Sequence, residues 1–117
     1  MVLVVVQYRV GSLGWLYHPA AGIQGNLGIA DQRLAFLWVQ REIRSFGGDA
    51  SQVTAFGESA GAISVCVHAS SPASAGLFRA AIMESAVCDS AAFFSRAHTA
   101  AFGAPHDSFL PIRQRAR

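Results

Sequence analysis

The sequence predicts an α/β fold, a parallel sheet with helices packed on both faces, and three observations carry that reading. Short apolar, β-prone runs alternate with longer runs of helical period. The resulting order of strand, helix, strand, helix, strand calls for right-handed crossovers in a parallel sheet. One strand passes into one helix through a glycine-bounded turn with a single serine at its tip, Gly57-Glu58-Ser59-Ala60-Gly61.

Residues 1–6 are an unbroken run of Met, Val and Leu ahead of a glycine-containing loop, which reads as a fully buried parallel strand. No basic leader precedes this run and no small-residue cleavage site follows it, so it is not expected to be a targeting peptide. Residues 9–28 are rich in glycine and contain Pro19, and they predict a loop with little regular structure. Asp31 then supplies a first-turn acid for a helix over residues 31–46. Phe36, Val39, Ile43 and Phe46 recur on one face, Leu34, Leu37 and Trp38 widen that stripe, and Arg33, Gln40, Arg41 and Arg44 mark the wet side. Gly47-Gly48 ends the helix. Residues 52–56 predict a short strand, residues 60–67 a buried helix, and residues 80–84 a further strand. Residues 91–117 sustain neither period, so the chain divides into a partial α/β domain over 1–90 and an unmatched tail over 91–117.

The serine-bearing turn is the feature with chemistry in it. A serine at the apex of a tight strand-to-helix turn is held in a strained backbone, and side chains two residues to either side would collide across the turn. Gly57 and Gly61 stand at those two places. The same turn sets Ser59 at a helix N-terminus, where free N–H groups and the helix dipole favour the negative charge that develops in acyl transfer. The backbone N–H of Ala60 is the expected oxyanion donor.

Composition narrows the alternatives. The 117 residues suffice for one small domain, yet 52% are hydrophobic and only 14% charged, against about 25% charged in ordinary soluble domains. Such a chain is expected to be a piece of a larger protein. No apolar run approaches the ~20 residues of a membrane span. The net charge of +2 comes from arginine alone, and Arg113, Arg115 and Arg117 make a small basic tail without the aromatic interleaving of a nucleic-acid surface. Cys66 and Cys88 fit neither a metal-ligand spacing nor a disulfide framework, and Cys66 is expected to pack as a small hydrophobe. Neither a metal cluster nor a phosphate-cradling loop is visible, so no cofactor is expected. The compartment is left open.

Several motifs in one order carry a resemblance. Gln7-Tyr8-Arg9-Val10-Gly11 with Leu13-Gly14, Gly25-Asn26-Leu27-Gly28 followed by Asp31-Gln32, Trp38-Val39-Gln40, the run from Phe46 to Gly61, Ser71-Pro72, Gly76-Leu77-Phe78 and Ala81-Ile82-Met83-Glu84-Ser85 follow one another as they do in the type-B carboxylesterases. The chain resembles that family, which includes the cholinesterases, over its first three quarters. Ala50 stands where the family usually has proline and Ala86 where it usually has glycine, and no match is apparent from about Asp89 onward.

The resemblance implies a partial α/β-hydrolase fold and ester hydrolysis through an acyl-enzyme on Ser59. It implies that Glu58 lies beside the serine and tunes its electrostatics, although at the variable position of the elbow a merely tolerated residue reads equally well. It implies that Ser85 joins a buried hydrogen-bond network near the site, where a plain strand-end hydroxyl is the equal alternative. It also places a strand and a glycine-rich oxyanion loop upstream, and the triad's acid and histidine far downstream, so the missing parts of the parent domain become expected partners. Within the chain, His68 lies nine residues past Ser59 on one helix, roughly 13 Å away. His18 sits in the early loop. His98 and His106 follow Asp89 in the order serine, acid, histidine, but not at the family's distance. Taken alone, the chain is expected to be a weak or inactive esterase that aggregates through the open edge of its first strand. The competing reading is a non-catalytic, cholinesterase-like interaction module, or a remnant that keeps the elbow without the triad.

Overall fold

The computed structural model describes residues 1–86 and 88; the tail, with Asp89, His98 and His106, lies outside the described residues. Thr54–Glu58 (β3) and Ala80–Glu84 (β4) form a parallel pair in register from Thr54 opposite Ala80 to Glu58 opposite Glu84. Between them runs the helix Ala60–Ser70 (α3), the crossover that a parallel pair requires. It packs along both strands, and Ala55, Ala62 and Val65 are buried. The pair is pinned at both ends, by Arg79 N–H donating to the Val53 carbonyl at 2.8 Å and Ser59 N–H donating to the Glu84 carbonyl at 2.9 Å. Phe56 and Ile82 of the same strands are more than half exposed.

Ahead of this unit, Gly11–Trp15 forms a short helix (α1), and Tyr17–His18 (β1) pairs antiparallel with Ile23–Gln24 (β2) around a 3₁₀ turn at Pro19–Ala21. The loop expected over residues 9–28 therefore carries more regular structure than its glycines suggest. The long helix Leu27–Glu42 (α2) follows and tightens into a 3₁₀ turn over Ile43–Phe46, which Gly47 closes in the left-handed region at φ 77°. Close approach explains Gly28, where a Cβ would come within 2.7 Å of the Arg9 carbonyl oxygen and 2.9 Å of the Trp15 ring.

Four expectations need correction. Residues 1–6 are not a buried strand: they carry no ladder, and Val5 is 73% exposed. A strand exists only through its partners, and no described residue runs alongside to pair with it. Asp31 is not in the first turn of α2, which begins at Leu27. Instead it grips Arg9, accepting from Nε at 2.8 Å, from Nη2 at 2.7 Å and from the backbone N–H at 3.1 Å. These contacts hold the Asp31 carboxyl down at about 2. The apolar stripe expected over residues 31–46 is also narrower than its sequence suggests, for Val39 of α2 and Ile43 of the 3₁₀ turn are buried while Leu34 and Phe46 are exposed.

The fourth correction concerns the cysteines, which form a disulfide between α3 and the segment after β4, Cα to Cα 5.6 Å. That separation lies within the range a disulfide spans. Cys66 is buried, as a small hydrophobe would be, but it is bonded. The bridge closes 22 residues of chain. Cys88→Ser is therefore expected to lower stability by about 3 kcal/mol, read from chemical denaturation of the oxidised protein. An unchanged midpoint would show that the bond constrains little.

Candidate functional site

The turn from β3 into α3 has the geometry of a nucleophile elbow. Ser59 sits at φ 51° and ψ −116°, a conformation that only glycine adopts without strain. It is the residue that caps α3, yet its hydroxyl makes no capping hydrogen bond, and the side chain is exposed. A serine at that position usually spends its oxygen on the helix's own N–H groups. Here the oxygen points elsewhere because the backbone is turned. The first helical turn closes when the Ile63 N–H donates to the Ser59 carbonyl at 3.0 Å, so the N–H groups of Ala60, Gly61 and Ala62 precede the ladder. The 11-residue α3 aims its positive end at the site.

The two elbow glycines are not equivalent. A Cβ on Gly57 would lie 2.4 Å from the Gly61 carbonyl carbon, 2.5 Å from its oxygen and 2.8 Å from the Ala62 nitrogen. A Cβ on Gly61 would meet nothing within 4 Å among the described residues. The collision expected on both sides of the serine thus falls on Gly57 alone, because Gly61 contributes the backbone that Gly57 must avoid.

Glu58 ends β3 beside the serine and faces Glu84 across the pair, both exposed. Ser85 follows Glu84, whose carbonyl holds the Ser59 N–H; it is exposed, at φ 59°. Among the described residues no hydrogen bond joins a histidine to Ser59. His18 accepts a hydrogen bond from the Ala21 N–H at 3.3 Å. His68 is buried in a polar cluster with Gln32, Ser64 and Ser74. Its ring also meets the Phe36 ring edge to face at 5.2 Å. Among the described residues no group of His, Cys, Asp and Glu is placed to hold a metal ion, and no helix is long and apolar enough to cross a membrane.

Burial holds the His68 imidazole below its ordinary 6.5, and the positive charge of Arg33 pushes the same way. In the folded protein the ring therefore takes up its proton later than in the unfolded chain as pH falls. Above pH 6.5 both states hold it neutral. Below that value the unfolded state binds more protons, so stability declines as pH drops from about 6.5 toward the folded value. His68→Gln is expected to flatten this part of a stability–pH curve, and an identical slope in parent and variant would count against it. The Asp31 contribution is lost in a separate, more acidic window, as pH falls from 3.8 toward about 2.

The family is decided by the match of residues 1–104 to the carboxylesterase family. The chain belongs to the carboxylesterase family. Relatives include cholinesterase 1 of Branchiostoma lanceolatum, 54% identical over 86 residues, which are 74% of this chain and 24% of that protein. The bile salt-activated lipase of Rattus norvegicus is 48% identical over 87 residues, 74% of this chain and 14% of the lipase. Among solved structures, a thermophilic PNB esterase superposes with a TM-score of 0.77 at 34% identity, covering 91% of this chain and 22% of the esterase. This carboxylesterase-family chain thus spans about a quarter or less of those relatives, and the fold it shares with them is the α/β-hydrolase fold, here in part. Sequence reasoning identified the elbow but did not connect Gln32, Ser64 and Ser74 with His68. The one available signal was Gln32, a polar residue on the face of α2 that also buries Gly28 and Val39.

Proposed function

We propose that this chain carries the nucleophile of a serine carboxylesterase and that the rest of the catalytic machinery comes from other parts of a longer protein. The observation that carries the reading is Ser59 itself: strained, exposed, uncapped and set on the positive end of α3. In acylation, Ser59 Oγ bonds to the ester carbonyl carbon while its proton passes to a base and on to the departing alkoxide. The Ala60 N–H donates to the oxyanion of the tetrahedral intermediate. Water then adds to the acyl carbon, and Ser59 leaves with a proton. Glu58, beside the serine, adds negative field that favours a cationic base.

Two features support an incomplete site. No hydrogen bond joins a described histidine to Ser59, and the sheet is open. A cavity of about 830 Å³ is lined by residues 1–6 on one side and by Val53, Thr54 and Phe56 on another, with Phe36, Val39 and Val65 also contributing. Among the described residues β3 has a strand neighbour only in β4. A further apolar strand from the parent protein would fill that space and pair with the free edge of β3.

Pre-steady-state hydrolysis of a short-chain nitrophenyl ester tests the reading. The full-length protein is expected to release a burst of about one nitrophenolate per active serine before steady turnover, the sign of an accumulating acyl-enzyme. The 117-residue chain alone is expected to turn over poorly. Brisk turnover by the isolated chain, lost in Ser59→Ala and in His98→Ala or His106→Ala, would show instead that the tail supplies the base.

A further inference from the structure

The hydrogen bonds around His68 run in one direction. Gln32 places Nε2 3.2 Å from Ser64 Oγ and Oε1 3.0 Å from His68 Nε2. His68 Nδ1 lies 2.9 Å from Ser74 Oγ, and Ser64 Oγ lies 3.0 Å from the Ala60 carbonyl oxygen. All four side chains are buried, and no buried side-chain polar atom among the described residues lacks a partner. An amide oxygen only accepts and an amide nitrogen only donates. With the Gln32 amide in this orientation, His68 carries its hydrogen on Nε2, its Nδ1 is bare, and the Ser74 hydroxyl donates to it. Gln32 Nε2 donates to Ser64, which leaves the single Ser64 proton for the Ala60 carbonyl. Turning the Gln32 amide over would reverse the bonds, with Ser64 donating to Gln32, Gln32 to His68 Nε2 and His68 Nδ1 to Ser74, and in either direction Gln32 ties the same two side chains of α3.

The path runs from the 3₁₀ turn at Pro72–Ser74, through α3 and α2, and back to the first turn of α3, ending one residue from Ser59. Gln32 engages both Ser64 and His68, which lie one helical turn apart on α3. A rotation of α3 against α2, or a slide by one residue, would break at least one of these bonds. An apolar contact of the same size would bury as much surface without fixing either coordinate, since hydrophobic attraction has no direction.

We propose that Gln32 and His68 are positioning residues that set the rotation and height of α3, and thereby the aim of Ser59 Oγ and the Ala60 N–H. The inference rests on the proposed function, because the aim matters only if Ser59 is the nucleophile. Neither side chain touches the reacting atoms; they act through Ser64 and the first turn.

The test uses the full-length protein, with kcat expressed per serine titrated by a fluorophosphonate. Gln32→Leu removes both bonds and is expected to lower kcat about 10²-fold, the effect of roughly 1 Å of misplacement, with KM changed less than about threefold. His68→Leu is expected to follow it. His68→Gln keeps an N–H for Gln32 Oε1 and should recover most of that loss, a rescue that lost packing volume alone would not produce. Should Gln32→Leu fail to fold, the comparison of His68→Gln with His68→Leu decides. In ¹⁵N-histidine spectra the parent is expected to show His68 as a single neutral tautomer at pH 7, held by Gln32 and Ser74. Unchanged kcat in Gln32→Leu, no difference between the two His68 variants, or a mixture of His68 tautomers would overturn this inference while leaving a Ser59-dependent esterase intact. Hydrolysis indifferent to Ser59→Ala would overturn the proposed function as well.

Discussion

Replacing Gly57 by alanine is expected to cost the fold about 3 kcal/mol, at the upper end of the usual range for overpacking. The added methyl would stand 2.4 to 2.8 Å from backbone atoms of Gly61 and Ala62, and backbone cannot move aside as a flexible side chain can. Relief requires that the end of β3 and the start of α3 separate, which pulls on the Ser59 N–H bond to the Glu84 carbonyl. Activity should fall with stability, since the serine rides on that junction. Gly61→Ala in the 117-residue chain is the informative control: its methyl meets nothing among the described residues, and alanine is the better helix former by up to about 1 kcal/mol. Denaturant titrations of the two variants should therefore shift in opposite directions. Equal destabilisation by both would mean that the turn is not built as described.

The second large effect is at the serine. Ser59→Ala is expected to reduce kcat in the full-length protein by on the order of 10⁴-fold or more, the scale on which nucleophile removal acts in acyl transfer. The residual rate would come from oxyanion and binding contributions, including the Ala60 N–H. Ser59→Gly should be equally inactive and also more stable than the parent by about 1–2 kcal/mol, because glycine relieves the strain at φ 51°. A variant that is dead in turnover and higher in melting temperature would show that the protein gives up stability to aim its serine. Full activity in Ser59→Ala would remove the basis of the functional reading.

Much of this arrangement is legible in the sequence where the determinants are local. The strand expected over residues 80–84 is found as Ala80–Glu84, the helix after Ser59 begins at Ala60, and Gly47 ends the long helix through its left-handed conformation. These features depend on apolar runs, glycine placement and chain direction, all of which a sequence displays. What the sequence conceals is what distant residues do to one another. Residues 1–6 read as a buried strand because their composition is that of one, but a strand also needs neighbours. The Cys66–Cys88 bridge depends on where the end of β4 falls relative to α3. The unequal demands on Gly57 and Gly61 depend on which backbone crosses which, although the motif treats them alike. The polar path from Ser74 to Ala60 joins residues as much as 36 positions apart, and no local pattern announces it.

Everything proposed for the site depends on Ser59 being an activated nucleophile at the tip of this elbow. The most direct measurement is to treat the full-length protein with a fluorophosphonate, digest it, and locate the adduct by mass spectrometry. A single covalent adduct is expected on the peptide containing Gly57-Glu58-Ser59-Ala60-Gly61, absent from Ser59→Ala. An adduct confined to another serine, or no adduct in a folded full-length protein, would contradict it.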